Sequence, residues 1–131
     1  MKTSLSIGEI LYKVLTEDEA LKGKMTKVFP VVTDKAELPY IAYKLSGLEP
    51  QPVKTYANAD TVTVEIMCLS ADHDECVSLS ELVRAALDKR QEEVSGLMMR
   101  SCTLKDVNES WQDDAYAMTQ TYEIKAQSSA S

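Results

Sequence analysis

Nine residues at the middle of the chain, Thr61-Val62-Thr63-Val64-Glu65-Ile66-Met67-Cys68-Leu69, alternate with a period of two. Val62, Val64, Ile66 and Cys68 fall on one side and Thr61, Thr63 and Glu65 on the other, which only a half-buried strand explains. A helical pattern follows almost at once: Cys76, Leu79, Val83, Ala86 and Leu87 form one stripe of a helix predicted from Asp72 to about Arg90. Asp72, Asp74 and Glu75 open it and Lys89 and Arg90 close it, which suits the helix dipole at both ends. A strand that runs straight into an amphipathic helix must share one apolar layer with it, so the chain is constrained to a helix-on-sheet arrangement. Met67 and Leu69 interrupt the polar side of the strand. That end of the outer face is therefore expected to be covered by a neighbour or another subunit.

The flanking segments extend the pattern. Ser6-Ile7-Gly8-Glu9 has the form of a capping box, Leu5 and Ile10 stand at staple positions, and Ile7, Ile10, Leu11, Val14 and Leu15 make a single stripe. Thr16-Glu17-Asp18-Glu19 reads as a second helix start that Gly23 would stop. Two proline-bearing phrases come next, Val28-Phe29-Pro30-Val31-Val32 and Leu38-Pro39-Tyr40-Ile41-Ala42-Tyr43. They read as strands from about Lys27 to Val32 and from about Tyr40 to Leu45, at a sheet margin, because proline cannot donate to a central ladder. Ser46 to Asp60, with two prolines and a glycine, reads as a long loop or a loosely formed hairpin, expected to be poorly ordered in the free chain. Leu97 to Asn108 and Ala115 to Ala126 then form an antiparallel hairpin about the turn Asn108 to Asp114. The fold class is α+β, a single antiparallel sheet with both helices on one face. One domain spans 1–126, and 127–131 is expected to be a disordered tail.

Composition removes whole classes of function. A chain of 131 residues with 44% hydrophobic content fits one domain that buries roughly two-thirds of its unfolded surface. A formal charge of −7, with 14 scattered basic residues, argues against binding a nucleic acid backbone and against sequence-specific nucleic acid recognition. No apolar run approaches the roughly 20 residues that cross a bilayer, and Met1 to Ser6 leads into a patterned helix, so a cytosolic protein without a membrane partner is expected. Cys68, Cys76 and Cys102 match no zinc or redox spacing and read as reduced, core-facing thiols. His73, the only histidine, stands in Asp72-His73-Asp74-Glu75, which reads as a helix opening and not as a metal site or a base. No nucleophile elbow or phosphate-cradling glycine run occurs, and the acidic pairs Glu92-Glu93 and Asp113-Asp114 lie in polar turns. Catalytic, metal and cofactor-binding residues are none, so an enzyme is not expected. Trp111, in the hairpin turn, either folds back over the sheet edge or stands out as an interface anchor.

The order of these elements resembles the tail-completion family of tailed bacteriophages, a family of tail terminators that join tail to head. The resemblance rests on the N-terminal helix, Val28-Phe29-Pro30, Leu38-Pro39-Tyr40-Ile41, a variable loop, the Val62-to-Leu69 strand, the Asp72-to-Arg90 helix and the final hairpin. It implies a small α+β structural subunit of a phage or prophage tail, with no catalytic residues. It further implies a homo-oligomeric ring, a hexamer by analogy with tail symmetry, that completes the tail tube at its head-proximal end. The implied partners are further copies of the chain, the tail tube protein and the head–tail connector protein. Such a subunit would occupy the host cytoplasm during assembly and the virion afterwards, and an acidic lumen would avoid gripping passing DNA. Leu48, Val53 and Tyr56 in the loop, Met67 and Leu69 on the outer face, and Trp111 in the turn are the candidate assembly surface. The competing reading is a non-viral cytoplasmic α+β adaptor module whose long loop binds a peptide.

Overall fold

A computed structural model describes residues 3–25, 27–30, 37–50, 58–112 and 114–128. Its elements are α1 (Ile7–Glu17), β1 (Val28–Pro30), β2 (Tyr40–Pro50), β3 (Asn58–Ser70), α2 (His73–Leu87), β4 (Glu92–Val94), β5 (Leu97–Gln112) and β6 (Ala115–Ser128). The strands form one sheet in the order β1-β2-β3-β6-β5-β4. Every neighbouring pair from β2 to β4 is antiparallel, whereas β1 joins β2 in parallel, with Val28 opposite Ile41. Both helices cover one face, so the α+β reading with a common helix layer holds. The β1 orientation departs from the all-antiparallel expectation because three residues at an edge carry no register information of their own.

The stripes and alternation identified in sequence make the core. Ile7, Ile10, Leu11, Val14 and Leu15 of α1 and Leu79, Val83, Ala86 and Leu87 of α2 are buried against Val62, Val64, Ile66 and Cys68 of β3 and Tyr122 and Ile124 of β6. Each such side chain removed from water contributes about 1.5–3 kcal/mol before entropy is subtracted. Gly8 lets α1 lie close on β2, since a Cβ there would stand 3.0 Å from the Tyr43 ring. Lys13 ties the helix to β4 through Glu92, 3.5 Å away. A smaller cluster lies on the opposite face, where Tyr40, Ala42, Leu69 and Ala117 are buried with Leu38 and Met67 packed against them.

Several local expectations are corrected. A short 3-10 turn, Ser4–Ser6, precedes α1; Thr3 Oγ1 accepts from Leu5 N, and Ser6 makes no side-chain cap, so the capping box does not form. Leu5 is 72% exposed and takes no part in a staple. No second helix starts at Thr16, whose hydroxyl donates to Tyr12 O at 2.6 Å. Asp18 instead organises a turn by accepting from Ala20 N and Leu21 N at 3.0 and 3.1 Å, and Gly23, at φ +82°, lies beyond it. α2 ends at Leu87, before Lys89 and Arg90, because Lys89 takes φ 67° and its N–H turns to Cys102 O. The polar stretch Glu92–Val94 is a strand paired with β5.

The two hairpins are longer than expected. Residues Ser46 to Pro50 belong to β2, with Pro50 opposite Asp60, so half of the expected loop is ordered ladder; residues 51–57 lie outside the described residues. β5 continues through Trp111 to Gln112, so Asn108 to Gln112 is strand; Asp114 is a turn residue at φ 60°, and residue 113 lies outside the described residues. Gln127 and Ser128 pair with Ala59 and Asn58 instead of opening a tail, and residues 129–131 lie outside the described residues.

Candidate assembly surfaces

The predicted contact residues among those described do not converge on one patch. Leu48, opposite Val62, lies on the helix-facing side and packs partly buried against the main core. Met67 and Leu69 lie on the opposite face inside the smaller cluster, so their break in polar alternation is answered within the subunit. Val53 and Tyr56 lie outside the described residues. Trp111 alone stands well out, 55% exposed at the far end of β5.

The surroundings of Trp111 are built by hairpin register. Trp111 is opposite Tyr116 and Glu109 is opposite Met118, which aims Glu109, Trp111 and Tyr116 toward the start of α2. There the Tyr116 ring meets both the Trp111 ring, at 4.6 Å between centroids, and the His73 ring, at 5.2 Å. His73 Nε2 and Glu109 Oε1 are 2.9 Å apart. The helix start itself is fixed by Asp72, whose Oδ2 accepts from Glu75 N at 3.0 Å, while the Ser70 hydroxyl bonds the Glu75 carboxylate and accepts from Asp72 N. His73 is thus a structural link between helix and hairpin, in keeping with its reading as part of a helix opening. Glu109 and Tyr116 are missed by sequence reasoning, because only the pairing of β5 with β6 brings them to His73.

A second surface lies along α2. The turn of Gly23, Lys24 and Met25, together with Pro39, faces Glu75, Ser78 and Leu82 across an open cleft of about 690 Å³. Its walls are mostly aliphatic, with Lys24 on one side and the carboxylates of Glu75 and Glu81 on the other.

Among the described residues no group of three metal-ligating side chains occurs, and no helix is long and apolar enough to cross a membrane. The three thiols are free and buried. Burial pushes Cys68 and Cys102 up to about 12 and raises Cys76 as well, so each is held as the neutral thiol.

Among curated protein sequences none matches significantly. A chain of a native gene transfer agent virion has the same fold, with a TM-score of 0.77 and 14% identity over 89% of this chain and 91% of that one. The family model described as tail completion protein gp17 matches residues 9–126, which takes in most of α1, both sheet margins, α2 and nearly all of the final hairpin. The chain belongs to the tail completion protein gp17 family.

Proposed function

We propose that this subunit forms a homomeric ring, hexameric in the assembled tail, that completes the tail tube at its head-proximal end and joins it to the head. Membership of the family makes the chain a structural protein of a phage-type tail. The ring, its head-proximal place, and contacts with the tail tube and connector proteins are the finer reading. The observation that carries it is the match of the family model along residues 9–126, practically the whole folded unit. One further feature supports it: a formal charge of −7 suits a ring lumen that must not grip phosphates. The subunit assembles in the host cytoplasm and is retained in the virion.

Cryo-electron microscopy of particles carrying the subunit with a small added tag tests this. Density for the tag in a single ring between the tail tube and the head is expected, and deletion of the subunit should leave heads and tails unjoined. Finding the tag in the baseplate or fibres would exclude the assignment.

A further inference from the structure

We infer that neighbouring copies join their sheets edge to edge: the open half of β5 in one subunit pairs antiparallel with the open half of β2 in the next, and repetition closes the sheets into one barrel with the helices outside. This rests on the ring reading above and specifies which surfaces meet.

Each margin of the sheet is covered over only part of its length. β1 flanks β2 at residues 41–43, and β4 flanks β5 at residues 97–99. The link from α2 to β4 extends the cover of β5 as far as Leu104: Lys89 N donates to Cys102 O, Gln91 Nε2 donates to Arg100 O, and Asp88 Oδ1 accepts from Leu104 N. Beyond these points, from Lys44 on β2 and from Lys105 on β5, no further strand flanks either margin among the described residues. Exposure begins at the same places. Lys44, Leu45 and Ser46 are exposed, and so is every residue of 105–111. A strand margin left open in this way is a template for another strand.

The two open halves lie toward opposite ends of the sheet. Lys44 is level with Asp106 through Glu65 and Thr121. From that level the open half of β2 runs one way to Pro50, level with Met99, and the open half of β5 runs the other way to Gln112. A neighbour set level would press its β2 on the part of β5 that is already covered. It pairs only when shifted by about six residues along the strands, roughly 20 Å, against about 19 Å for the width of the four strands β2, β3, β6 and β5 that each copy adds. Such a stagger tilts the strands by about 45° to the axis of a closed sheet whatever the number of copies, at the upper end of the range of about 35–45° typical of barrels. Direction fits as well. β2 and β5 run opposite ways, so antiparallel alternation continues unbroken from copy to copy.

The stagger and the two complementary margins identify the occupant as a second copy of the chain. A foreign strand fills one margin and leaves the other open, and two β5 strands paired about a two-fold axis leave β2 open in both copies. In the staggered register Leu45 stands opposite Trp111 on the helix side of the sheet, two side chains that are 37% and 55% exposed in the single subunit. Pro50, a residue suited to a strand edge, stands opposite Val107, and β1 of the neighbour falls beyond Gln112. Closure also gives a use to the face that carries no helix among the described residues. Thr61, Thr63, Glu65, Thr121, Glu123 and Asp106 alternate with the buried rows and lie on that face. A polar, uncovered sheet face suits a water-filled lumen. The contact is heterologous, and repeating it generates a ring when the rotation closes.

Particles whose subunit carries both Leu45→Cys and Trp111→Cys test the pairing. They are treated with a flexible bis-maleimide reaching about 13 Å, the length of four residues of strand, so that a small slip of register is tolerated. After denaturation the double variant should run as a ladder up to the complete ring. Each single variant, and the unsubstituted chain with its three buried thiols, should run as the single chain. No ladder from the double variant, in particles whose ring is visible by microscopy, would overturn the joint and leave the ring standing. A ladder that stops at two, or dimers from either single variant, would overturn it in favour of a two-fold pair. The unsubstituted chain supplies a second reading that needs no variant to assemble: the amides of residues 44–49 and 105–112 should exchange with deuterium about tenfold more slowly in particles than in the dilute monomer. Equal exchange in the two would overturn the strand pairing. A full ladder from particles that carry the subunit in the baseplate or fibres would keep the joint and sink the placement at the head.

Discussion

Trp111 and Tyr116 face each other across the last rungs of the β5–β6 hairpin, their rings 4.6 Å apart and inclined at 67°. This edge-to-face pair fixes the indole without burying it. Tyr116 does the larger share of the structural work, because it also meets His73 at the start of α2.

The two rings should therefore respond differently to truncation. Tyr116→Ala is expected to destabilise the subunit by about 1–2 kcal/mol, since it removes the aromatic pair and the contact with His73. Trp111→Ala should cost less than about 1 kcal/mol, the value of the pair alone at an exposed site. Urea unfolding followed by circular dichroism measures both. Equal losses would mean that the indole is part of the fold and not free for a partner.

The start of α2 gives a second expectation. Asp72→Ala removes the acceptor of the Glu75 N–H bond and should cost about 1 kcal/mol, whereas Asp72→Asn should cost only a few tenths. The same unfolding measurement distinguishes them. A loss as large for asparagine as for alanine would assign the effect to charge at the helix dipole, not to the cap.

What could be read from the sequence follows from where one face is continuously buried. The Thr61–Leu69 alternation and the Cys76–Leu87 stripe were legible because both press on the same core with unbroken period. β2 runs past the Leu45 end that the sequence predicts, and the signal stops there because a bulge lies between Leu45 and Gly47, so Leu45 and Leu48 share a side with two residues between them. In β5, bulges after Met99 and Leu104 shift the phase twice, and Leu97, Met99, Cys102, Leu104 and Val107 face the helices without keeping period two. Glu92–Val94 gave no signal because a three-residue polar edge strand has no buried face to announce it. Of the candidate contacts, Trp111 was legible as a lone aromatic in a polar stretch. Its neighbours Tyr116, His73 and Glu109 were not, since they meet only through the hairpin register.

Alkaline pH should weaken the fold through the buried thiols. Burial raises Cys68 and Cys102 from an ordinary value of 9.0 to about 12, and raises Cys76 in the same direction. Above pH 9 the unfolded chain loses these protons while the folded chain keeps them, so the unfolded state binds fewer protons and stability falls as pH rises. Below pH 9 this contribution is constant. Unfolding free energy measured from pH 8 to pH 11 should decline, and Cys68→Ala should flatten the decline while costing stability at every pH. A profile of unchanged slope in that variant would place the pH dependence elsewhere, for example on Tyr122, which burial also raises.

The most sensitive polar element of the core is a chain of hydrogen bonds between β6 and α2. The Tyr122 hydroxyl donates to Gln120 Oε1 at 2.6 Å, and Gln120 Nε2 donates to the Ser80 carbonyl oxygen at 2.8 Å, all within the buried layer. Satisfied on both sides, the amide costs little; deprived of one partner it carries the full desolvation penalty. Tyr122→Phe leaves Oε1 without its donor and should cost about 1–3 kcal/mol. Gln120→Leu strands the Tyr122 hydroxyl instead and should cost a similar amount. In the double variant both stranded groups are gone, so its loss should be smaller than the sum of the single losses by about 1 kcal/mol or more. A double-mutant cycle by urea unfolding measures this coupling. Strictly additive losses would mean that the Tyr122–Gln120 pair is not bonded in solution.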